Sequence, residues 1–462
     1  MTLPGSLQLD AWTGAEAASG DLDRGAAGWG ARAGLPHSQQ ELAFGAPADP
    51  TAWWDPEVGY GVLLPEAEAG SWTPAQLAAG ADAPEPVREL IAARPGTVVL
   101  RWTPALGDRF VRRAYADGTS QDPAIGLTPF GTARNRLPRY VLIAAGPEAI
   151  PWSVQYALAV RHAVGRLPLS GDALGHYVGA LLDGWAGAAV DLAAPLVWAV
   201  DHGGGDITSL MRAAIAAPLA EALSGTLERL LVLAGAEATG PALVDAAAGR
   251  SPALVVTSSH GATMPLAPPG AMAATLGLPV DAGLAPVPVA DLARSVPHGA
   301  VWYAQACCSA GAAGTSQFAD LLAAGSTARA TVEAVAALGS VVAPAALALL
   351  GRPRPVRAVL GHVEPTFDWT LRVPETGQKL GAHIVTALSS NLFHGQPLGY
   401  AFREYREGVG VLHTAWARRR EQLDHGDTSV REELTWLRLS AFDRQSLVLL
   451  GDPTAALPPL DA

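Results

Sequence analysis

Cysteine is nearly absent: the 462-residue chain has two, and they are neighbours, Cys307 and Cys308. Adjacent cysteines make a poor cross-link, so a disulfide-stapled scaffold is excluded and a reducing, cytoplasmic setting is expected. Charge is scarce too, at 16% of residues against 49% hydrophobic ones, which excludes general disorder and describes a well-packed globular protein. No basic surplus exists either. The formal net charge is −12, so no nucleic-acid partner is expected. The one basic cluster, Arg418-Arg419-Arg420, lies in a helical stretch with Glu421 and Asp424 and reads as a solvated face.

Other signals are missing as well. Met1 to Ser6 carries neither a positive n-region nor an apolar h-region, so no secretory signal is expected. The uncharged stretch from Ala334 to Gly351 is interrupted by Gly339 and Pro344, and it reads as a buried helix or pair of short helices; no membrane partner is expected. No histidine, cysteine and carboxylate set has metal-ligand spacing, and Gly203-Gly204-Gly205 lacks the lysine of a phosphate loop. Neither a metal nor a cofactor is expected. No repeat of about 20–50 residues is visible.

The length suits two domains or one large elaborated one. Residues 1–135 carry clustered tryptophans (Trp12, Trp29, Trp53, Trp54, Trp72, Trp102) and many prolines, with apolar runs at 58–64 and 97–102. This reads as an irregular, β-rich N-terminal accessory region. From residue 136 to 462 the pattern turns to alternating strand and helix. Apolar runs begin at Tyr140, Pro195, Ala253, Ala300, Val356 and Ser446, with a helix expected from Ile207 to Leu223. Near-continuous apolar strands separated by helices predict an α/β fold, a mainly parallel six-stranded sheet sandwiched by helices. Ligands in such sheets bind beyond the carboxyl ends of the strands.

Two of those strands end in chemistry. The run Ala253–Thr257 leads into Ser259-His260-Gly261, and Ala300–Ala304 leads into Gln305-Ala306-Cys307, with His260 and Cys307 47 residues apart. A thiolate is the attacking form of cysteine, and an imidazole beside it takes the thiol proton and returns one to the leaving amine. Gly261 N–H and Cys307 N–H form the natural oxyanion pair. Ser309, Ala310 and Gly311 permit a tight turn after the cysteine, and a short helix is expected at Ser316 to Ala324. No third catalytic group is assigned. The loop from Asp201 to Asp206, which contains His202, shares the rim with the dyad and is a candidate for shaping the substrate groove. His362 and Glu364, just past the fifth strand, are further substrate-pocket candidates.

These residues resemble the caspase-like superfamily of cysteine peptidases, which includes caspases, metacaspases, gingipains and bacterial CHAT-type proteases; the bacterial branches are the most similar. The resemblance covers roughly Arg139 to the C-terminus. It rests on Ser259-His260-Gly261, on Gln305 to Gly311, with the Gln-Ala-Cys triplet and its spacing from the histidine, and on the final Leu449-Leu450-Gly451-Asp452-Pro453. It implies a caspase-like fold, a Cys307 nucleophile, a His260 general base and acid, and peptide-bond hydrolysis through a thioester, with a protein or peptide as substrate. Two positions depart from the family's patterns. Ser309 stands where caspases have glycine, and Gln305, itself a substrate-binding candidate, stands where metacaspases have the aspartate that reads a basic P1 side chain, which argues weakly against Arg/Lys specificity.

Other readings stay open. The domain could be a catalytically silent binding or scaffold module. His202-Gly203-Gly204-Gly205 resembles the oxyanion motif of lipase-type hydrolases, with Ser309 as nucleophile; but the elbow's first glycine is Cys307, and the third member would have to be His394, His413 or His425. Cys308 is an alternative nucleophile, although strand alternation turns it away from the face of Cys307. The segment from Met264 to Pro297 is the one place for a cleavage loop, and it reads as a plain ordered loop. P1 preference, pathway and oligomeric state are not written in the sequence.

Overall fold

A computed structural model of the chain describes residues 6–12, 17–21, 48–68 and 70–460. The chain divides into two compact units, Met1–Pro47 and Ala48–Ala462. In the first, strands Ser6–Trp12 and Ala17–Asp21 pair antiparallel. Trp29 lies outside the described residues.

The second unit is built on one ten-stranded sheet. Its strands in chain order are β1 (Tyr60–Pro65), β2 (Val98–Trp102), β3 (Tyr140–Ile143), β4 (Ala163–Arg166), β5 (Leu196–Ala199), β6 (Leu231–Ala234), β7 (Leu254–Ser258), β8 (Val301–Gln305), β9 (Ala358–His362) and β10 (Leu447–Leu450). Across the sheet they run β6-β5-β7-β8-β9-β10-β4-β3-β1-β2. Every neighbouring pair is parallel except β9–β10, where Val359 faces Leu450. The α/β class and mainly parallel sheet expected from the sequence are therefore present, with ten strands in place of six.

The apolar runs explain the burial. Leu63, Val141 and Ile143 pack with Val154 and Leu158 of the helix Trp152–Ala159. Their alternating neighbours Val62, Leu64, Tyr140 and Leu142 belong to another cluster, with Val87 and Leu90 of the helix Glu85–Ala93. Period-two alternation thus sends each strand's side chains into two separate apolar layers, so both faces are covered and the runs read as continuous. The edge strand β6 is the exception, half-exposed throughout.

The boundary expected at residue 135/136 is not where the compact units divide. β1 and β2 come from the N-terminal region, yet Gly61 pairs with Val141 and Gly61 also with Val98, which places them in the same sheet. A buried polar cluster ties the same region to the far end of the chain. Asp452, fully buried, accepts from Tyr60 Oη at 2.6 Å and pairs with Arg94 at 3.3 Å. Removing one partner of such a pair costs about 3–5 kcal/mol, because the remaining charge stays buried. Apolar runs at 58–64 and 97–102 show that strands exist there but not which partner they choose, and here the partner is β3.

Several other stretches settle simply. Ala334–Gly351 contributes to two helices, Thr327–Ala336 and Pro344–Gly351, joined through the short strand Val341–Val342. Met264–Pro297 contains the helices Pro269–Thr275 and Val289–Ser295. Arg419 and Arg420 lie on the helix Arg403–Asp424 and pair with Glu433 and Asp424. Among the described residues, no helix is long and apolar enough to cross a membrane.

Candidate active site

Register assembles the site. Ala199, Ser258 and Gln305 are hydrogen-bonded neighbours across β5, β7 and β8, and Ala304 of β8 pairs with Gly361 of β9. The segments that leave these four parallel strands therefore emerge side by side at their carboxyl ends, where ligands bind in sheets of this kind. They carry Asp206, His260, Cys307 and Thr366 respectively.

His260 follows β7 by two residues. Its Nε2 lies 3.0 Å from Asp206 Oδ2. The other oxygen of the same carboxylate accepts the Thr208 N–H at 2.8 Å, capping the helix Ile207–Met211. Asp206 thus orients the imidazole while being held itself. Burial pushes its carboxyl up, but hydrogen bonds from Thr208 and His260 pull it down further, so its net position is below the ordinary aspartate value. The ring of His202 stacks on His260 with centroids 5.6 Å apart and planes nearly parallel, and among the described residues its own Nε2 is buried without a partner.

Cys307 lies in the turn after β8. Its Sγ accepts the Thr366 N–H at 3.3 Å and touches Thr366 Oγ1 at 3.8 Å. Burial pushes the thiol up, and the Thr366 hydrogen bonds offset only part of that, so the resting group is a protonated thiol. Among the described residues no hydrogen bond joins His260 to Cys307. The contact between the two loops is made by backbone instead. A Cβ on Gly261 would overlap the Cys307 carbonyl oxygen and lie 2.9 Å from the Cys307 nitrogen. Only glycine fits there. Among the described residues, neither Gly261 N–H nor Cys307 N–H is taken by a backbone carbonyl, which leaves two adjacent donors for a developing oxyanion.

Cys308 faces the other way. It is fully buried, with φ of 56°, in a small apolar cluster with Met272, Leu276 and Val335, and burial raises its thiol well above the ordinary value. Ser309 is equally closed off: its hydroxyl donates to the Ala304 and Ala306 carbonyls and accepts the His362 N–H. That arrangement removes the serine-nucleophile reading. The turn into a short helix at 316–324 reduces to one 3-10 turn, Ala319–Leu321, so no helix N-terminus stands behind the thiol.

The four substrate-pocket candidates separate. His202 belongs to the site through its stacking on His260. Gln305 does not; it is buried, and its amide oxygen accepts the Tyr303 hydroxyl. His362 is also buried, with Nδ1 on Ser446 Oγ at 3.1 Å, and burial lowers it to about 4, which keeps it neutral. Glu364 opens into a different cavity, behind the turn. The reason is local: Gln305 and His362 are the last residues of β8 and β9, still under the cover of the C-terminal helices, where Phe402 stacks on Tyr303. What lines the cleft beside the partners of His260 and Cys307 is Gly205, Asp206, Ile207, Thr366, Asp368 and Arg372, around a volume of about 390 Å³.

Asp206 and Thr366 were not singled out from the sequence. Asp206 had a signal, since an aspartate directly before a helical stretch is a favoured N-cap. Nothing local marks Thr366. Among the described residues, no group of histidine, cysteine and carboxylate side chains could hold a metal ion.

No protein-family model matches the chain, and no curated protein matches it. Among solved structures it is similar to the Arg-specific cysteine proteinase gingipain R, with 12% identity and a TM-score of 0.46 over 87% of this chain and 79% of that one.

Proposed function

We propose that this chain is a cysteine endopeptidase in which Cys307 is the nucleophile, His260 the general base and acid, and Asp206 the group that orients His260. The observation that supports this reading is the shared register of β5, β7 and β8, which sets the three residues at the same end of adjacent strands. Asp206 on Nε2 fixes the proton there and leaves Nδ1 as the nitrogen that exchanges protons.

The steps follow from those roles. His260 Nδ1 accepts the Cys307 proton as Sγ forms a bond to the scissile carbonyl carbon, and the carbonyl oxygen takes the charge between Gly261 N–H and Cys307 N–H. The C–N bond breaks as His260 returns the proton to the amine, leaving a thioester. Water, deprotonated by His260, attacks the thioester and releases the acid product and the thiol. A thiol held protonated at rest makes the base indispensable.

The test is digestion of a peptide library read by mass spectrometry. New termini with the wild type, absent with Cys307→Ser and with His260→Ala, support the proposal. Identical peptide profiles for all three would leave a silent caspase-like module as the reading.

A further inference from the structure

A second cavity, of about 620 Å³, lies behind the turn that carries Cys307 and shares no lining residue with the cleft beside the partners of His260 and Cys307. Its size falls within the range of small-molecule sites. Trp152, Tyr156 and Phe442 supply aromatic wall, His413 joins them, and the two charged groups on the lining are Asp108 and Glu364. Among the described residues, no lysine or arginine lines it. Arg166, a nearby buried cation over the Trp152 ring, is engaged by Gln155 and the Ala145 and Pro151 carbonyls.

Glu364 is the unusual member. It is only 5% exposed yet lines the cavity, and among the described residues no hydrogen bond engages its carboxyl. The Tyr156 hydroxyl is likewise buried without a partner. Buried polar groups are ordinarily paired, so an unpaired hydroxyl beside a carboxyl on one cavity wall points to a missing ligand. Glu364 also holds a left-handed backbone, φ 77°, and its carbonyl accepts the Cys308 N–H at 3.0 Å while its N–H donates to Gly311 O at 3.2 Å. The residue that presents the carboxyl to the cavity therefore braces both ends of the turn that follows the nucleophile.

We propose that this cavity binds a small organic cation, an amine carrying an aromatic or apolar body, with the ammonium on Glu364 and the body against Trp152, Tyr156 and Phe442, and that occupancy alters Cys307 through the Glu364–Cys308 backbone bond. The charge of the lining selects a cation over an anion, and the aromatic walls add cation–π attraction. A cation there stabilises the ionised form of a carboxyl that burial, with Asp443 second, holds up at about 7.

The probe is phenethylamine, with 2-phenylethanol as its uncharged counterpart, titrated calorimetrically into the full chain. The expected result is one saturable site for phenethylamine, weakened about 10-fold, or about 1.4 kcal/mol, in Glu364→Gln. Binding of 2-phenylethanol is about 10-fold weaker than that of the amine and indifferent to the same substitution. Ser153→Trp, at an exposed position on the lining, fills the mouth and abolishes binding, which keeps the test valid should Glu364→Gln fail to fold. At saturation, alkylation of Cys307 by iodoacetamide changes at least about twofold in the wild type and not in Ser153→Trp. That readout needs no peptidase activity, so it stands apart from the proposed reaction. Absence of saturable binding, or equal binding by wild type and both variants, overturns the site; saturable binding with unchanged alkylation overturns the coupling.

Discussion

Asp206→Asn separates orientation of the histidine from stability of the fold. Asparagine caps a helix about as well as aspartate, within a few tenths of a kcal/mol, so the helix Ile207–Met211 keeps its start. With its amide oxygen on the Thr208 N–H, its NH₂ faces His260 Nε2. That nitrogen must then accept, which moves the ring proton to Nδ1, the position that has to take the thiol proton. A hydrogen bond to a charged group is worth about 1.5–3 kcal/mol. Both side chains are about one-third exposed, so solvent screening reduces this to about 1–2 kcal/mol. The second-order rate of Cys307 labelling by a peptidyl electrophile should fall about 5- to 30-fold, with an unchanged melting temperature. Asp206→Ala, by contrast, loses the cap as well and about 1 kcal/mol of stability. A folded Asp206→Asn protein that labels at the wild-type rate refutes the orienting role. The pair also has a defined pH window. Since the folded carboxyl titrates below its unfolded value, its contribution is full above about pH 4 and is lost as pH falls through the folded value.

Three further outcomes follow from the geometry. Gly261→Ala places a Cβ against the Cys307 carbonyl, and relief requires about 1 Å of movement between the two loops; the labelling rate should drop about 100-fold while circular dichroism stays native. Cys308→Ala removes a sulfur from a buried apolar cluster, so chemical denaturation should show a loss of about 1–2 kcal/mol with the labelling rate within twofold of wild type. Asp443 is fully buried beneath the site and burial pushes its carboxyl up to about 7. The folded state therefore binds a proton more tightly than the unfolded state, and this group's contribution falls as pH rises from about 4 to about 7. Asp443→Asn should flatten that part of the stability profile measured by urea denaturation between pH 5 and pH 8; an unchanged slope argues against a neutral buried acid.

The sequence was most readable where one face-independent property decides structure. All six apolar runs from Tyr140 onward became strands of the sheet, because strands covered on both faces must be apolar at every position. Two strands escaped for opposite reasons. β4 contains glycine and a buried arginine, Arg166, whose guanidinium is satisfied by Gln155 and carbonyls that no local pattern reveals. β6 is an edge strand, short and half-exposed, and lacks the strong turn signals that flank its neighbours. The largest revision, the inclusion of β1 and β2, concerns pairing rather than existence: both runs were visible, but strand partners are chosen by tertiary contacts such as Tyr60 with Asp452. At the candidate site, His260, Gly261 and Cys307 could be named from sequence because each stands in a short motif of adjacent residues. Asp206 is 54 positions from His260 and Thr366 is 59 from Cys307, so their contacts exist only after the strands align. Gln305 and His362 are buried because a strand's last residue is not yet its rim.

Intact-mass labelling with a set of peptidyl electrophiles varied at P1 tests the central claim most directly, run on wild type, Cys307→Ala, Cys308→Ala and His260→Ala. The account predicts a single rapid adduct that depends on P1, is lost in Cys307→Ala, is strongly slowed in His260→Ala and survives in Cys308→Ala. Slow labelling that ignores both P1 and the loss of His260 would contradict it, and would make Cys307 an ordinary thiol on a non-catalytic domain.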